Sequence, residues 1–265
     1  MDAFVKSLYT PPRDSRKGDN GRLLAVGGSR DYHGAPMFAL LAARRFTDLL
    51  YFLPAENDAF LINAVKAIPE AIVVRDYTSP AIRGKLDCVL YGIGLGDAKP
   101  PLPKSGKPGT QNPQLVIDGD GLKRVKGKIP KCAILTPHEN EFRMLFGCEG
   151  SERNVSEMAK KHGCVVLKKG PVDIIADGRP GHGCGRVETN RTHNQGMTKG
   201  GTGDVLAGLV AALACKNDAF TAAVAGARIN GNAGNLLKKR FGFNYCASDL
   251  AEMLAESCKK LKGHE

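Results

Sequence analysis

The sequence predicts an α/β protein with a mostly parallel sheet covered by helices on both faces. Three observations carry this reading. Short apolar runs of strand length alternate with helical patterns along the chain. The strand candidates are apolar nearly throughout, as strands buried on both faces are, instead of alternating apolar with polar. The 265 residues, 42% hydrophobic and 25% charged, suffice for one large domain with a sizeable core.

The elements follow in order. "GRLLAVGGS" (21–29) reads as a buried strand ending in a glycine turn. The run 35–53, "APMFALLAARRFTDLLYFL", carries helix-forming residues with apolar side chains three and four apart. "AIPEAIVVRDY" (67–77) holds a short strand, and "KLDCVLYGIGLGD" (85–97) is a strand running into Gly92, Gly94 and Gly96. "PQLVIDGDGL" (113–122) is a strand that ends at Asp118 and Asp120. "CAILTPHENEFRMLFG" (132–147) is a strand, a Thr-Pro turn and a helix with Glu139 and Glu141 in its first turn. "NVSEMAKKHG" (154–163) is a helix, and "CVVLKKGPVDIIADG" (164–178) is a pair of strands about a Lys-Gly turn. From Thr202 the pattern is helical, in the three runs 202–216, 218–242 and 248–263. The one long Pro/Gly/Lys stretch, 97–113, reads as a mobile surface loop inside a single domain spanning 1–265.

Composition narrows the function. No apolar run is long enough to span a bilayer, and the first 21 residues lack the apolar segment of a secretory signal. The eight cysteines form no CxxC pair and show no zinc spacing, so they read as free, mostly buried thiols of a cytoplasmic protein. The net charge of +11 raises nucleic acid as a partner. The lysines are dispersed, however, the cluster 123–131 has no interleaved aromatics and tryptophan is absent. Phosphorylated small molecules explain the sign as well, and nucleic acid and membrane are set aside.

The densest chemical signal is "NQGMTKGGTGDVLAG" (194–208). Thr202 or Gly203 precedes the apolar-periodic run and marks a helix start. Gly200, Gly201 and Gly203 let a ligand approach the backbone, and free N–H groups at a helix N-terminus attract an anion. Asp204 falls in the first turn. Such an acid is often a helix cap, but a cap does not need three glycines beside it. A phosphate pocket with a carboxylate next to it fits better, the acid orienting or deprotonating a hydroxyl that attacks a phosphoryl group. The chain has neither a GxxxxGK[ST] P-loop nor a strand-borne GxGxxG. Two further signals stay open. His138 is a turn or cap histidine or a substrate contact from the edge of the sheet. Asp118 and Asp120 are turn acids or hold magnesium through water.

The segments "KGDNGRLLAVGGSRDYHGAP", "GIGLG", "VIDGDGL", "LTPHENEF", "LKKG" and "KGGTGDVLAG" occur in this order from Lys17 to the last helix. In this the chain resembles the ADP/ATP-dependent NAD(P)H-hydrate dehydratases, the carbohydrate-kinase-like domains of the ribokinase superfamily. The resemblance implies a three-layer ribokinase-like fold. It also implies an activity: a nucleotide phosphorylates the C6 hydroxyl of hydrated NADH or NADPH, then phosphate leaves and the double bond returns. By the same resemblance Asp204 is the catalytic acid position, activating that hydroxyl, and Gly203 sits at the phosphoryl-transfer anion hole. Ala35, Gly94, His138 and Asn194 belong to the hydrate site. Lys169, Gly170, Pro171, Val172 and Asp173, with Gly200, Gly201, Thr202 and Gly203, hold ADP or ATP together with Mg2+. The family threonine is Asp173 here, and Lys199 precedes the double glycine. A symmetric homo-oligomer, often a tetramer in the family, is expected. The first 20 residues are too few for the epimerase domain that many relatives carry. Two rival readings are a ribokinase-like kinase that retains a phosphorylated small alcohol and a non-catalytic nucleotide-binding protein.

Overall fold

The computed structural model describes residues 2–82, 84–104, 112–181 and 184–263. In chain order the elements are α1 (Ala3–Lys6), β1 (Arg22–Gly27), α2 (Gly34–Ala43), β2 (Leu49–Pro54), α3 (Ala59–Lys66), β3 (Ala71–Val73), β4 (Cys88–Ile93) and β5 (Gln114–Ile117). There follow α4 (Asp120–Arg124), β6 (Ile134–Leu135), α5 (Glu139–Phe146), α6 (Glu152–His162), β7 (Val165–Lys168), β8 (Asp173–Asp177) and β9 (Val187–Asn190). A 3-10 turn (Gln195–Thr198), α7 (Thr202–Ala214), α8 (Ala219–Phe241) and α9 (Ala247–Lys262) complete the chain.

The strands form one sheet of nine among the described residues, in the order β3-β2-β1-β4-β5-β6-β7-β8-β9. All pairings from β3 to β7 are parallel, and only β7–β8 and β8–β9 are antiparallel. The continuous apolar runs have the predicted cause. Along β1, Leu23 and Ala25 pack into one core and Leu24 and Val26 into a second on the other face. The first core takes its helical side chains from α1, α2, α3, α7, α8 and α9, and the second from α4, α5 and α6. This is a three-layer sandwich with helices on both faces, as expected.

One helix matters most for the site. In α7, 11 of 13 residues are buried. A helix apolar nearly all round belongs in a core, and α7 lies in the first core together with α2, α8 and α9. Its Gly208 passes so close to α2 that a Cβ there would stand 2.2 Å from the Ala39 carbonyl oxygen. The N-terminus of α7 is therefore held rigidly above the C-terminal edge of the sheet.

Two expectations are corrected and a third lies partly outside the described residues. The run 35–53 is not one helical stretch, because α2 ends at Ala43 and Leu49–Pro54 is strand β2. The N–H groups of Asp48 and Leu49 both donate to the Gly21 carbonyl (3.1 Å each), and Asp48 Oδ2 accepts from Gly18 and Asn20 N–H. That anchor turns the chain, and pairing with β1 then overrides helix propensity. Of the eight free cysteines only Cys88, Cys164 and Cys215 are buried, while Cys184 and Cys246 are exposed. The reading of 97–113 as a mobile loop falls partly on 105–111, outside the described residues. Its described part is irregular and is tied down where Tyr91 and Tyr77 hydroxyls donate to the Pro100 and Pro101 carbonyls.

Candidate active site

In parallel sheets, ligands bind in the crevice beyond the carboxyl ends of the strands. Here those ends bring together segments far apart in sequence. Asp118 follows β5, Thr136 and His138 follow β6, and Lys169 follows β7. The β6–β7 pairing continues past the strands, with an isolated bridge between His138 and Lys169 and the Lys169 N–H donating to the Pro137 carbonyl at 2.8 Å.

The Lys169 ammonium donates to Asp118 Oδ1 at 2.7 Å, and the Thr136 hydroxyl donates to the same oxygen at 2.8 Å. The Asp118 side chain is 4% exposed and that of Lys169 is 16% exposed. A charge pair so buried is tolerated only with further partners, and Lys169 has them. Burial works against its ammonium, but Asp118, Glu141 and Asp204 prevail and hold its pKa above the ordinary lysine value.

Above this cluster lies the start of α7. Gly201 is its N-cap with φ of 91°, a left-handed conformation, and a Cβ there would strike the Phe38 ring at 2.5 Å. Within the described residues no hydrogen bond takes up the N–H groups of Gly203 and Asp204. These are free helix N-terminal donors with the positive end of the helix behind them. A Cβ on Gly203 would stand 3.5 Å from Lys169 Nζ, which puts the ammonium against the same turn. The N-cap Gly201 supplies no side-chain cap, and among the described residues the Asp204 carboxyl makes no hydrogen bond in its place. Burial, then the charges of Asp118 and Glu141, raise its carboxyl to about 7, against the pull of Lys169. An acid with a pKa near neutrality, next to a cation and free N–H donors, is equipped to take a proton beside a phosphoryl group.

A cleft of about 390 Å³ opens from this point, within the range of small-molecule sites. Its lining includes Lys169, Gly170, Pro171, Asp173, Thr202 and Gly203 from the predicted nucleotide set, together with His138. Val172, Gly200 and Gly201 do not line it. Asp173 Oδ1 accepts the Gly170 N–H at 3.0 Å and Oδ2 accepts from Asn190 Nδ2 at 2.9 Å, while burial raises its pKa. The acid thus closes the Lys-Gly turn from within. The cleft also takes in Thr192, His193, Ala227 and Asn230, none of which the sequence reading singled out. Asn230 is 4% exposed and its Oδ1 has no partner among the described residues.

A second cleft, also about 390 Å³, is lined by Ser29, Arg30, Tyr32, Glu56, Gly96, Asp120 and Lys123 among others. The predicted hydrate contacts Ala35 and Gly94 lie by Tyr32: a Cβ on Gly94 (φ 61°) would stand 2.9 Å from Tyr32 Cβ and 3.0 Å from Ala35 Cβ. Asn194 is placed differently. Its Oδ1 accepts from Gly196 N–H and the Tyr245 hydroxyl, and its Nδ2 donates to Asn235, so the amide holds the approach to α7 and is committed internally. Asp118 and Asp120 also part company. Asp118 is engaged by Lys169 and Thr136, whereas Asp120 accepts the Gly96 N–H (3.0 Å) and pairs with Lys123 (2.7 Å). No group of three or more His, Cys, Asp or Glu among the described residues is arranged to hold a metal directly. These hard oxygen donors suit Mg2+ reached through water and carried mainly by phosphates.

The residue the sequence reading passed over is Glu141. His138 is the N-cap of α5, its Nδ1 accepting the N–H groups of Asn140 and Glu141, and Glu141 Oε2 accepts the His138 N–H in return at 2.8 Å. The spacing of this capping box is legible in "HENE". That the Glu141 charge also bears on Asp204 and Lys169 is not.

This arrangement is a ribokinase-like three-layer domain with an acid and free N–H donors at the helix N-terminus over the sheet edge. A ribokinase-like superfamily protein of Enterococcus faecalis shares the fold, with a TM-score of 0.80 at 22% identity over 97% of this chain and 94% of that one. The family model described as NAD(P)H-hydrate dehydratase matches residues 23–256, and the chain belongs to that family. It is 36% identical to the ADP-dependent (S)-NAD(P)H-hydrate dehydratase of Cenarchaeum symbiosum over 97% of this chain and 95% of that protein. It is 38% identical to the bifunctional NAD(P)H-hydrate repair enzyme Nnr of Pyrobaculum aerophilum over 95% of its own length, and spans about half, 53%, of that relative.

Proposed function

We propose that this chain dehydrates (6S)-NAD(P)H hydrate to NAD(P)H at the expense of ADP or ATP, through phosphorylation of the C6 hydroxyl and elimination of phosphate. One observation carries the reading. In the first turn of α7, Asp204, its carboxyl raised to about 7, carries with Gly203 N–H groups that have no partner among the described residues, and Gly203 and Lys169 line one cleft. Membership of the family supplies the substrate class.

In this reading Asp204 takes the proton of the C6 hydroxyl as its oxygen attacks phosphorus. The Gly203 N–H and Lys169 stabilise the charge on the transferring phosphoryl group. Lys169 needs no recruitment, since Asp118 and Thr136 already aim it there. Gly170, Pro171 and Asp173 line the nucleotide's cleft. Asp173 in place of the family threonine stabilises the turn through Gly170 and offers its remaining lone pairs to ribose hydroxyls. Ala35 and Gly94 hold the nicotinamide side, His138 contacts the substrate from the nucleotide's cleft, and Asn194 acts indirectly, fixing the approach to α7 through Tyr245 and Gly196. Asp118, and Asp120 on the far side of the turn, would be the acids to hold Mg2+ through water, and the metal would supply neutralisation of phosphate charge. The ATP/Mg2+ co-crystal structure of the Bacillus subtilis ADP/ATP-dependent NAD(P)H-hydrate dehydratase supports this use of nucleotide and metal (25% identity, TM-score 0.77, 97% of this chain and 96% of that one). We read residues 1–265 as one domain acting in the cytoplasm, which suits eight free thiols.

The chemistry is reasonable because hydroxide leaves poorly, whereas phosphate leaves readily with a push from the ring nitrogen. The test is to incubate the protein with NADPHX or NADHX, magnesium and either nucleotide, and to follow the absorbance of reduced nicotinamide. Its return, with inorganic phosphate released, is expected. A stable phosphorylated alcohol in its place would indicate a kinase.

A further inference from the structure

We infer that Asn230 reads the base of the nucleotide, its buried carboxamide hydrogen-bonding the polar edge of adenine on the apolar wall of the first cleft. The inference rests on the reading of that cleft as the nucleotide's.

Three asparagines on or next to the lining are buried: Asn190 is 3% exposed, Asn194 and Asn230 are each 4% exposed. Buried carboxamides are normally satisfied, and two of these are. Asn190 Oδ1 accepts from the Thr192 N–H and hydroxyl, while its Nδ2 donates to Asp173 and to the Ala227 carbonyl. Asn194 Oδ1 accepts from the Gly196 N–H and the Tyr245 hydroxyl. Asn230 is the exception. Its Oδ1 has no partner among the described residues, although the residue lines the cleft. An acceptor left buried and unmet is costly, and the folded chain supplies nothing to meet it. No donor holds that oxygen in place, and a half-turn about the last side-chain torsion exchanges it with the NH2 group. Either end can therefore be presented to a ligand.

The surroundings select a base over a phosphate or a sugar. Lys169 and the Gly203 N–H mark the phosphate end of the lining. Three residues further along α7 stands Leu206, and Pro171, Met197 and Ala227 join it in giving the cleft apolar walls, which suit a flat ring. Ala227 and Asn230 are three apart on α8 and share a face, so the carboxamide is the polar group set into that wall. The helix is fixed at this point, since a Cβ on Gly231 would run into the Thr192 carbonyl. A carboxamide brings no charge to a phosphate. It does carry an acceptor and a donor side by side, the pattern that complements the N6 amino group and N7 of adenine.

The experiment measures Kd by calorimetry, without hydrate, for ATP and for ribose 5-triphosphate, which lacks the base. In N230L, whose side chain keeps the branched shape, ATP binding should weaken by about 10-fold. Binding of ribose triphosphate should stay within about 2-fold of wild type, because Asn230 does not touch that part of the ligand. N230A should behave likewise and stands in if leucine packs badly. Without nucleotide N230L should melt close to the wild type, since the carboxamide has no partner to lose, but ATP should raise its Tm by less. The wild type gives a test that needs no variant: purine riboside triphosphate, with hydrogen in place of the 6-amino group, should bind about 5-fold or more weaker than ATP. Equal binding of those two by the wild type would overturn the assignment. So would unchanged ATP affinity in a folded variant, or equal weakening of ATP and ribose triphosphate. A wild type that binds neither ATP nor ribose triphosphate would bring down the reading of the cleft itself, and the role of Asn230 with it.

Discussion

Replacing Asp204 with asparagine should stabilise the protein while disabling it. The structure gives the size of the first effect. Burial, with Asp118 and Glu141, carries this carboxyl from its ordinary 3.8 to about 7. A shift of that size is worth roughly 4 kcal/mol of strain in the ionised folded state. The sign follows from linkage. A carboxyl whose pKa is raised on folding costs nothing while protonated in both states. Its cost grows as pH climbs from about 4 to about 7, and it is fully present above that. Asparagine cannot ionise and carries no such cost. The pull of Lys169 is already contained in that shift, but burying an amide in place of the carboxyl takes back part of the gain, and about 2–4 kcal/mol remains at pH 8. For a chain of this size that is a rise in Tm of about 5–10 °C, vanishing toward pH 4. Activity moves the opposite way. Losing a general base costs about 100- to 10,000-fold in kcat, roughly 3–5 kcal/mol of transition-state stabilisation. The assay pairs melting curves at pH 8 and pH 5 with kcat on NADHX at saturating nucleotide and magnesium. A folded D204N enzyme with near wild-type kcat would remove the base. A Tm unchanged at pH 8 would remove the strained acid.

Three further outcomes are expected. The kcat/KM of the wild type should rise with pH through about 7 as Asp204 ionises, and a profile flat from pH 5.5 to 8.5 counts against that acid. Gly170→Val places a branched side chain on the lining of the nucleotide cleft, where even a Cβ lies 3.3 Å from Lys168 Nζ. Nucleotide Kd should weaken by about 10-fold or more, or roughly 1.4 kcal/mol, with hydrate affinity little changed, and equal nucleotide affinity in a folded variant would refute the placement. Arg179→Ala removes the two-nitrogen partner of the fully buried Asp177 carboxylate and the closer partner of Asp218 at the cap of α8, leaving both acids to Arg186. Because that second cation remains, the expected loss is about 2–3 kcal/mol of stability by urea titration, and a loss under 1 kcal/mol would show Arg179 to be dispensable.

Much of the fold was legible because strands buried on both faces must be apolar throughout. Leu23 to Val26 and Val165 to Leu167 announce themselves that way, and each of their residues is buried. β2 was not legible: its Leu-Leu-Tyr-Phe-Leu follows a helix without glycine or proline between them, and only pairing with β1 decides its state. β9, "VETN", has one buried residue in four and lacks the apolar signature. α3 was passed over as well, although Asp58 caps it. At the candidate site, the groups that the sequence could nominate are those carried by a contiguous motif: Gly203 with Asp204, Lys169 with Gly170, and His138. Groups assembled by the fold were missed. Lys169 and Asp118 are 51 residues apart and form one ion pair, and the turn that puts Asp118 beside Lys169 sends Asp120 into α4 and toward Gly96. Glu141 was visible as a first-turn acid, but that its charge reaches Asp204, 63 residues away, is a product of the fold.

The central claim, that the C6 hydroxyl leaves as phosphate, can be followed atom by atom. NADHX prepared in 18O-water carries the label in that hydroxyl. It is turned over with unlabelled nucleotide and magnesium, and the inorganic phosphate is analysed by mass spectrometry. The account predicts one 18O in each phosphate released, matched by one NADH formed. Unlabelled phosphate, with the 18O lost to water, would contradict it.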